Sequence, residues 1–168
     1  MLEPPRGWAH DADPWRALEL SRNGLSRFLR SARMAVGLRG DVEVLLTDDR
    51  TLRRLNREFR GKDKATDVLS FPAAEQVAAE HAGDLAISLE TARRQAEEHG
   101  HPLRDEIRVL ILHGLLHLHG MDHESDHGEM AAREAHLRKK LRLPAGLIAR
   151  VSQSDAKARP RKPARVAA

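Results

Sequence analysis

Cysteine is absent from this 168-residue chain. That excludes a disulfide scaffold, an iron–sulfur cluster, a thiolate zinc finger and a thiol nucleophile. Tyrosine is absent as well, and aromatics make up only 3% of residues, too few for a side-chain platform on which bases stack. Long apolar runs are lacking. The longest, residues 109–118, is broken by His113, Gly114 and His117, whereas a membrane span needs about 20 apolar residues. Residues 1–13 carry Glu3, Pro4, Pro5 and Arg6 with no apolar stretch, so they do not read as a secretory signal, and the expected compartment is the cytoplasm. With sulfur ligands gone, the ten histidines are the main candidates for holding a transition metal.

The charge is small and uneven. Lys and Arg total 29 against 25 Asp and Glu, a net charge of +4. Residues 152–168 hold five basic side chains (Lys157, Arg159, Arg161, Lys162 and Arg165) against Asp155, which equals the whole excess. This segment has little apolar surface to bury and reads as a disordered basic tail, either solvated or a nonspecific anchor for nucleic acid. Residues 1–151 form the single expected domain and are neutral in sum. Within them, residues 50–64 carry seven basic and two acidic side chains, so a basic region stands against an acidic remainder.

The elements read as helix, strand, helix, strand, strand, helix, helix, helix. A helix capped by Asp13 with Pro14 at its first position carries Leu25, Phe28, Leu29 and Ala32, with Gly24 as a point of interruption. A strand covers residues 41–47. A helix capped by Asp48 or Asp49 follows, with Leu52, Leu55 and Phe59 on one side and Arg50, Arg53, Arg54 and Arg57 on the other. Strands over 67–71 and 83–89 flank a loop at 73–82. A helix over 90–99 stops at Gly100 and Pro102. The helix from 104 to about 119 is apolar on several sides and is expected at the centre. The last helix starts at Ser125 or Asp126, with Met130, Leu137 and Leu141 at core spacing. Late-grouped helices and partly successive strands indicate an α+β domain, a small mixed β-sheet packed against helices.

The chemistry concentrates in residues 113–123. His113 and His117 lie one turn apart on one helix face. Gly120 can end the helix with positive φ, and the turn after it can bring His123 back. Three imidazoles and an open fourth position make the ligand set of a catalytic zinc, which lowers the pKa of bound water to about 7. His119 lies on nearly the opposite face and reads as structural or supporting, and His127 is a weaker ligand candidate. Asp122 reads equally as a carboxylate orienting a ligand imidazole or as a cap for the turn. The spacing is similar to the zincin H-E-x-x-H, but Gly114 occupies the glutamate position, so the general base of an ordinary metalloprotease is missing.

The stretch from His113 to His123 resembles the H-G-x-L-H-L-x-G-y-D-H hallmark of the YbeY family of endoribonucleases, the ribosomal RNA maturation factors. Two further segments agree in order. One runs from Leu55-Asn56 through Phe59-Arg60-Gly61-Lys62-Asp63 to Thr66-Asp67-Val68-Leu69-Ser70-Phe71-Pro72. The other is Gly83-Asp84-Leu85-Ala86-Ile87-Ser88. The match spans residues 41–143. The resemblance implies a zinc-dependent endoribonuclease directed at single-stranded RNA. It implies action in maturing the 3′ end of small-subunit ribosomal RNA and in ribosome quality control, with the small ribosomal subunit as partner. It implies one zinc per chain, with His113, His117 and His123 as ligands and Arg60 as the functional arginine. A guanidinium suits that role because phosphodiester cleavage builds charge on the non-bridging oxygens. The bland alternative for Arg60 is a surface ion pair with Asp63 or Glu58. Arg53, Arg57, Lys62 and Lys64 are candidate RNA-backbone contacts. Two other functions stay open: a metal-dependent hydrolase of another substrate such as a peptide, and a ribosome-assembly factor with structural zinc. Family members begin with a β-strand, whereas residues 1–13 show no β pattern, so that edge strand is expected to be missing or displaced. Ala65 stands where the family usually has proline, which implies a less rigid loop after Arg60.

Overall fold

The computed structural model describes residues 2–3 and 14–144. The basic tail at 152–168 and the Asp13 cap lie outside the described residues. Among the described residues, four strands form one mixed sheet in the order β1-β2-β4-β3. They are β1 (Leu2–Glu3), β2 (Asp41–Thr47), β3 (Val68–Pro72) and β4 (His81–Ser88). β1 runs parallel to β2 and β2 parallel to β4, while β3 is antiparallel to β4. The expected α+β class holds. The expected loss of the first strand does not: Leu2 and Glu3 pair with Val44 and Leu45. Two residues are too few to show a period-2 pattern, and the pairing is made by backbone against β2.

Among the described residues, six helices accompany the sheet: α1 (Pro14–Ala17), α2 (Arg22–Val36), α3 (Asp49–Arg60), α4 (Leu89–His99), α5 (Leu103–Leu118) and α6 (Glu129–Leu141). The single helix expected from Pro14 is split. Glu19 takes a left-handed φ of 54°, and Ser21 caps a new helix by accepting from the Gly24 amide at 3.0 Å. Gly24 therefore sits in a first turn and interrupts nothing. Asp48 is the cap of α3, accepting from the Thr51 amide at 2.7 Å. The last helix begins later than expected, at Glu129. Asp126 still serves its start, accepting from the Gly128 and Met130 amides at 2.9 and 2.7 Å.

α5 is the centre of the domain. Ile107, Val109, Leu110, Ile111, Leu112, Leu115 and Leu116 are all fully buried, at about 1.5–3 kcal/mol for each large side chain taken from water. It packs on the sheet and against α2, α4 and α6. Gly114 faces β4 so closely that a Cβ there would lie 2.7 Å from Leu85 Cδ2, and Ser70 of β3 donates its hydroxyl to the Gly114 carbonyl at 3.2 Å. The helix that carries the histidines is thus pinned to the sheet at the residue between them. No helix among the described residues is long and apolar enough to cross a membrane.

Candidate metal centre

Helix periodicity puts His113 and His117 on one face of α5, and the end of the helix supplies the third imidazole. His119 is the C-cap, Gly120 adopts φ 91°, and the Met121 amide donates back to the Leu116 carbonyl at 3.1 Å. Asp122 then accepts from the Glu124 amide at 3.0 Å and the Ser125 hydroxyl at 3.2 Å. This folds the turn so that His123 faces the helix. Of the two roles open to Asp122, its hydrogen bonds are those of the turn cap. The Glu124 amide, followed by the Ser125 hydroxyl and the nearby imidazoles, holds its carboxyl below the usual range.

One nitrogen from each of His113, His117 and His123 lies within 4.8 Å of the others. Ring centroids are 4.7 Å apart for His113–His117 and 5.4 Å for each pair with His123. The two Nε2 atoms of His113 and His117 stand 3.1 Å apart. Tetrahedral zinc with bonds of about 2.0–2.1 Å would set two ligand nitrogens about 3.3–3.4 Å apart, so the donor set fits such an ion. His123 Nδ1 is buried and has no hydrogen-bond partner among the described residues. Burial, then the adjacent His113 and His123 imidazoles, and more weakly Arg60, push the His117 pKa down to about 4. Its ring is therefore neutral, the form a metal needs, at neutral pH. His119 and His127 are exposed and stand outside the triad.

The triad lines a cleft of about 560 Å³ together with Arg60, Lys62 and Lys64, and with the acidic Asp67, Asp122 and Glu124. Arg60 is the last residue of α3, before Gly61 at φ 66°. Asp63 does not pair with Arg60. It binds Arg53 through both carboxylate oxygens, at 2.8 and 3.1 Å. Arg53 and Arg57 are exposed and lie outside the cleft lining. The loop after Arg60 is tied down despite Ala65: buried Asn56 donates its amide to the Lys64 carbonyl at 2.9 Å. Phe59 departs from the apolar face expected of α3. It is 66% exposed and meets Phe71 edge-on at 5.3 Å.

Sequence reasoning missed Glu134. This α6 carboxylate, 1% exposed, lies 3.0 Å from His113 Nδ1. A signal was present: Met130, Glu134 and Leu137 share one helical face, and an acidic residue on an apolar stripe needs a buried partner. At Gly114, where a zincin has its glutamate, the Leu85 contact leaves no room for a side chain.

Fold and site together define an α+β protein whose all-imidazole candidate metal centre shares a cleft with three basic residues. The family described as Endoribonuclease YbeY matches residues 11–142. The endoribonuclease YbeY of Koribacter versatilis (strain Ellin345) is 55% identical over 143 residues, covering 85% of this chain and 92% of that one. That of Solibacter usitatus (strain Ellin6076) is 52% identical over 132 residues, covering 79% and 87%. The chain belongs to the YbeY endoribonuclease family. The solution structure of TM1509 from Thermotoga maritima covers 98% of this chain and 100% of its own at 23% identity, with a TM-score of 0.52. It shares the fold.

Proposed function

We propose that this chain is a zinc-dependent endoribonuclease that cuts single-stranded RNA in the cytoplasm. Its substrate would be the 3′ region of small-subunit ribosomal RNA, met on the small ribosomal subunit, with a further part in ribosome quality control. The observation that carries the reading is the placement of the triad and Arg60 on one cleft, supported by family membership. His113, His117 and His123 would hold one zinc, which when bound supplies Lewis acidity toward a phosphate oxygen and lowers the pKa of water. Arg60 carries a cationic group to the same space and would hold the non-bridging phosphate oxygens through paired N–H donors as charge develops on them. Lys62 and Lys64 would bind the flanking phosphates. His117, neutral across the neutral range, would stay competent as a ligand there. A peptide substrate is disfavoured by Gly114, which offers no general base and no space for one.

The test is incubation of the zinc-loaded protein with precursor small subunits and with matched single-stranded and duplex RNAs, followed by end mapping. Internal cuts in the single strand and in the precursor 3′ region, abolished by a chelator, are expected. Cleavage that is indifferent to the chelator, or confined to duplex, would overturn the reading.

A further inference from the structure

We infer that Glu134 is the positioning residue of the triad: its carboxylate accepts the His113 Nδ1 proton and so turns the His113 Nε2 lone pair toward the shared centre. The inference rests on the reading of the triad as a metal site.

The hydrogen-bond accounting is restrictive. A neutral imidazole has one N–H donor and one acceptor nitrogen. His113 Nδ1 faces Glu134 Oε2 at 3.0 Å, and His113 Nε2 faces His117 Nε2 at 3.1 Å. A lone pair on Nδ1 would set two acceptors against each other at a place where His113 is 6% and Glu134 1% exposed. With the proton on Nδ1, both contacts are satisfied, and His117 Nε2–H donates to His113 Nε2. The metal-free triad is then a directional chain from His117 through His113 to Glu134. Met130 and Leu137 flank Glu134 on the buried face of α6. A carboxylate behind a ligand imidazole fixes ring orientation and tautomer and raises its basicity.

Two measurements on the full chain test this. Long-range ¹⁵N–¹H NMR of the metal-free protein should show His113 as the Nδ1–H tautomer and His117 as the Nε2–H tautomer. Chelator competition with zinc should show affinity about 10–100-fold weaker in Glu134→Leu and intermediate in Glu134→Gln, whose amide oxygen can still accept, with far-UV circular dichroism unchanged. If the leucine variant does not fold, the glutamine variant and the wild-type spectrum decide. An Nε2–H tautomer at His113 in the wild type, or folded variants with wild-type zinc affinity, would overturn the inference while leaving a zinc-binding triad intact. Wild-type protein that takes up no zinc would overturn the reading beneath it as well.

Discussion

Arg53 grips Asp63 through two hydrogen bonds, at 2.8 and 3.1 Å, and thereby engages one of the two carboxylates, Asp63 and Glu58, that the sequence offers to Arg60. The two arginines lie two helical turns apart on α3 with different duties, one closing the loop and one lining the same cleft as the triad. Arg60→Ala is expected to slow RNA cleavage by about 10²–10³, the usual effect of losing one donor to developing charge. Its zinc content and thermal midpoint should be unchanged. Arg53→Ala should cost far less in cleavage rate, because its ion pair is solvent-exposed and so contributes little to holding the loop.

Lys62 and Lys64 flank Asp63 on the same wall, and both are exposed. If each meets one phosphate, the double substitution to alanine should flatten the slope of log affinity against log salt by about 1.4 for single-stranded RNA. Binding isotherms on a noncleavable strand at several salt concentrations read this directly. The cleavage rate at saturating RNA should change little.

Gly114→Ala should destabilise the fold. The new Cβ meets Leu85 Cδ2 at 2.7 Å and Cδ1 at 3.1 Å, and Leu85 is itself only 1% exposed, so it has nowhere to swing. Overpacking of this kind costs about 1–3 kcal/mol, readable in a denaturant midpoint. Gly114→Glu, which would restore the zincin pattern, should fail to fold rather than gain peptidase activity.

In the metal-free protein, the His117 resonance should titrate with a midpoint near 4 rather than 6.5, because burial and the neighbouring imidazoles oppose its charge. Its folded pKa lies below its unfolded value, so between these values the unfolded chain binds more protons. Stability from this residue is complete above about 6.5 and is lost as pH falls through that window toward the folded value of about 4. Replacing His117 with Gln should remove this part of the acid sensitivity.

The triad was legible because its geometry is local: an i, i+4 pair, a glycine with positive φ and a short turn. The helix α5 was equally plain, since apolar residues on all sides demand a central place. Other features depend on which surfaces meet. Glu134 sits 21 positions from His113 and becomes its partner only once α6 docks on α5. The reason for Gly114 lies in Leu85 of β4, 29 positions away. Residues 2 and 3 become a strand only because β2 offers them a backbone edge. The split at Glu19 depends on a left-handed residue that no periodicity announces.

The central claim is that one zinc on His113, His117 and His123 is required for cutting RNA. The most direct test is titration of metal-stripped protein with zinc while metal occupancy and single-strand cleavage are followed together, with His117→Ala alongside. Cleavage should rise in proportion to occupancy and level off at one zinc per chain, and the variant should neither hold the metal nor cut. Full cleavage by the metal-stripped protein, or by His117→Ala, would contradict the account.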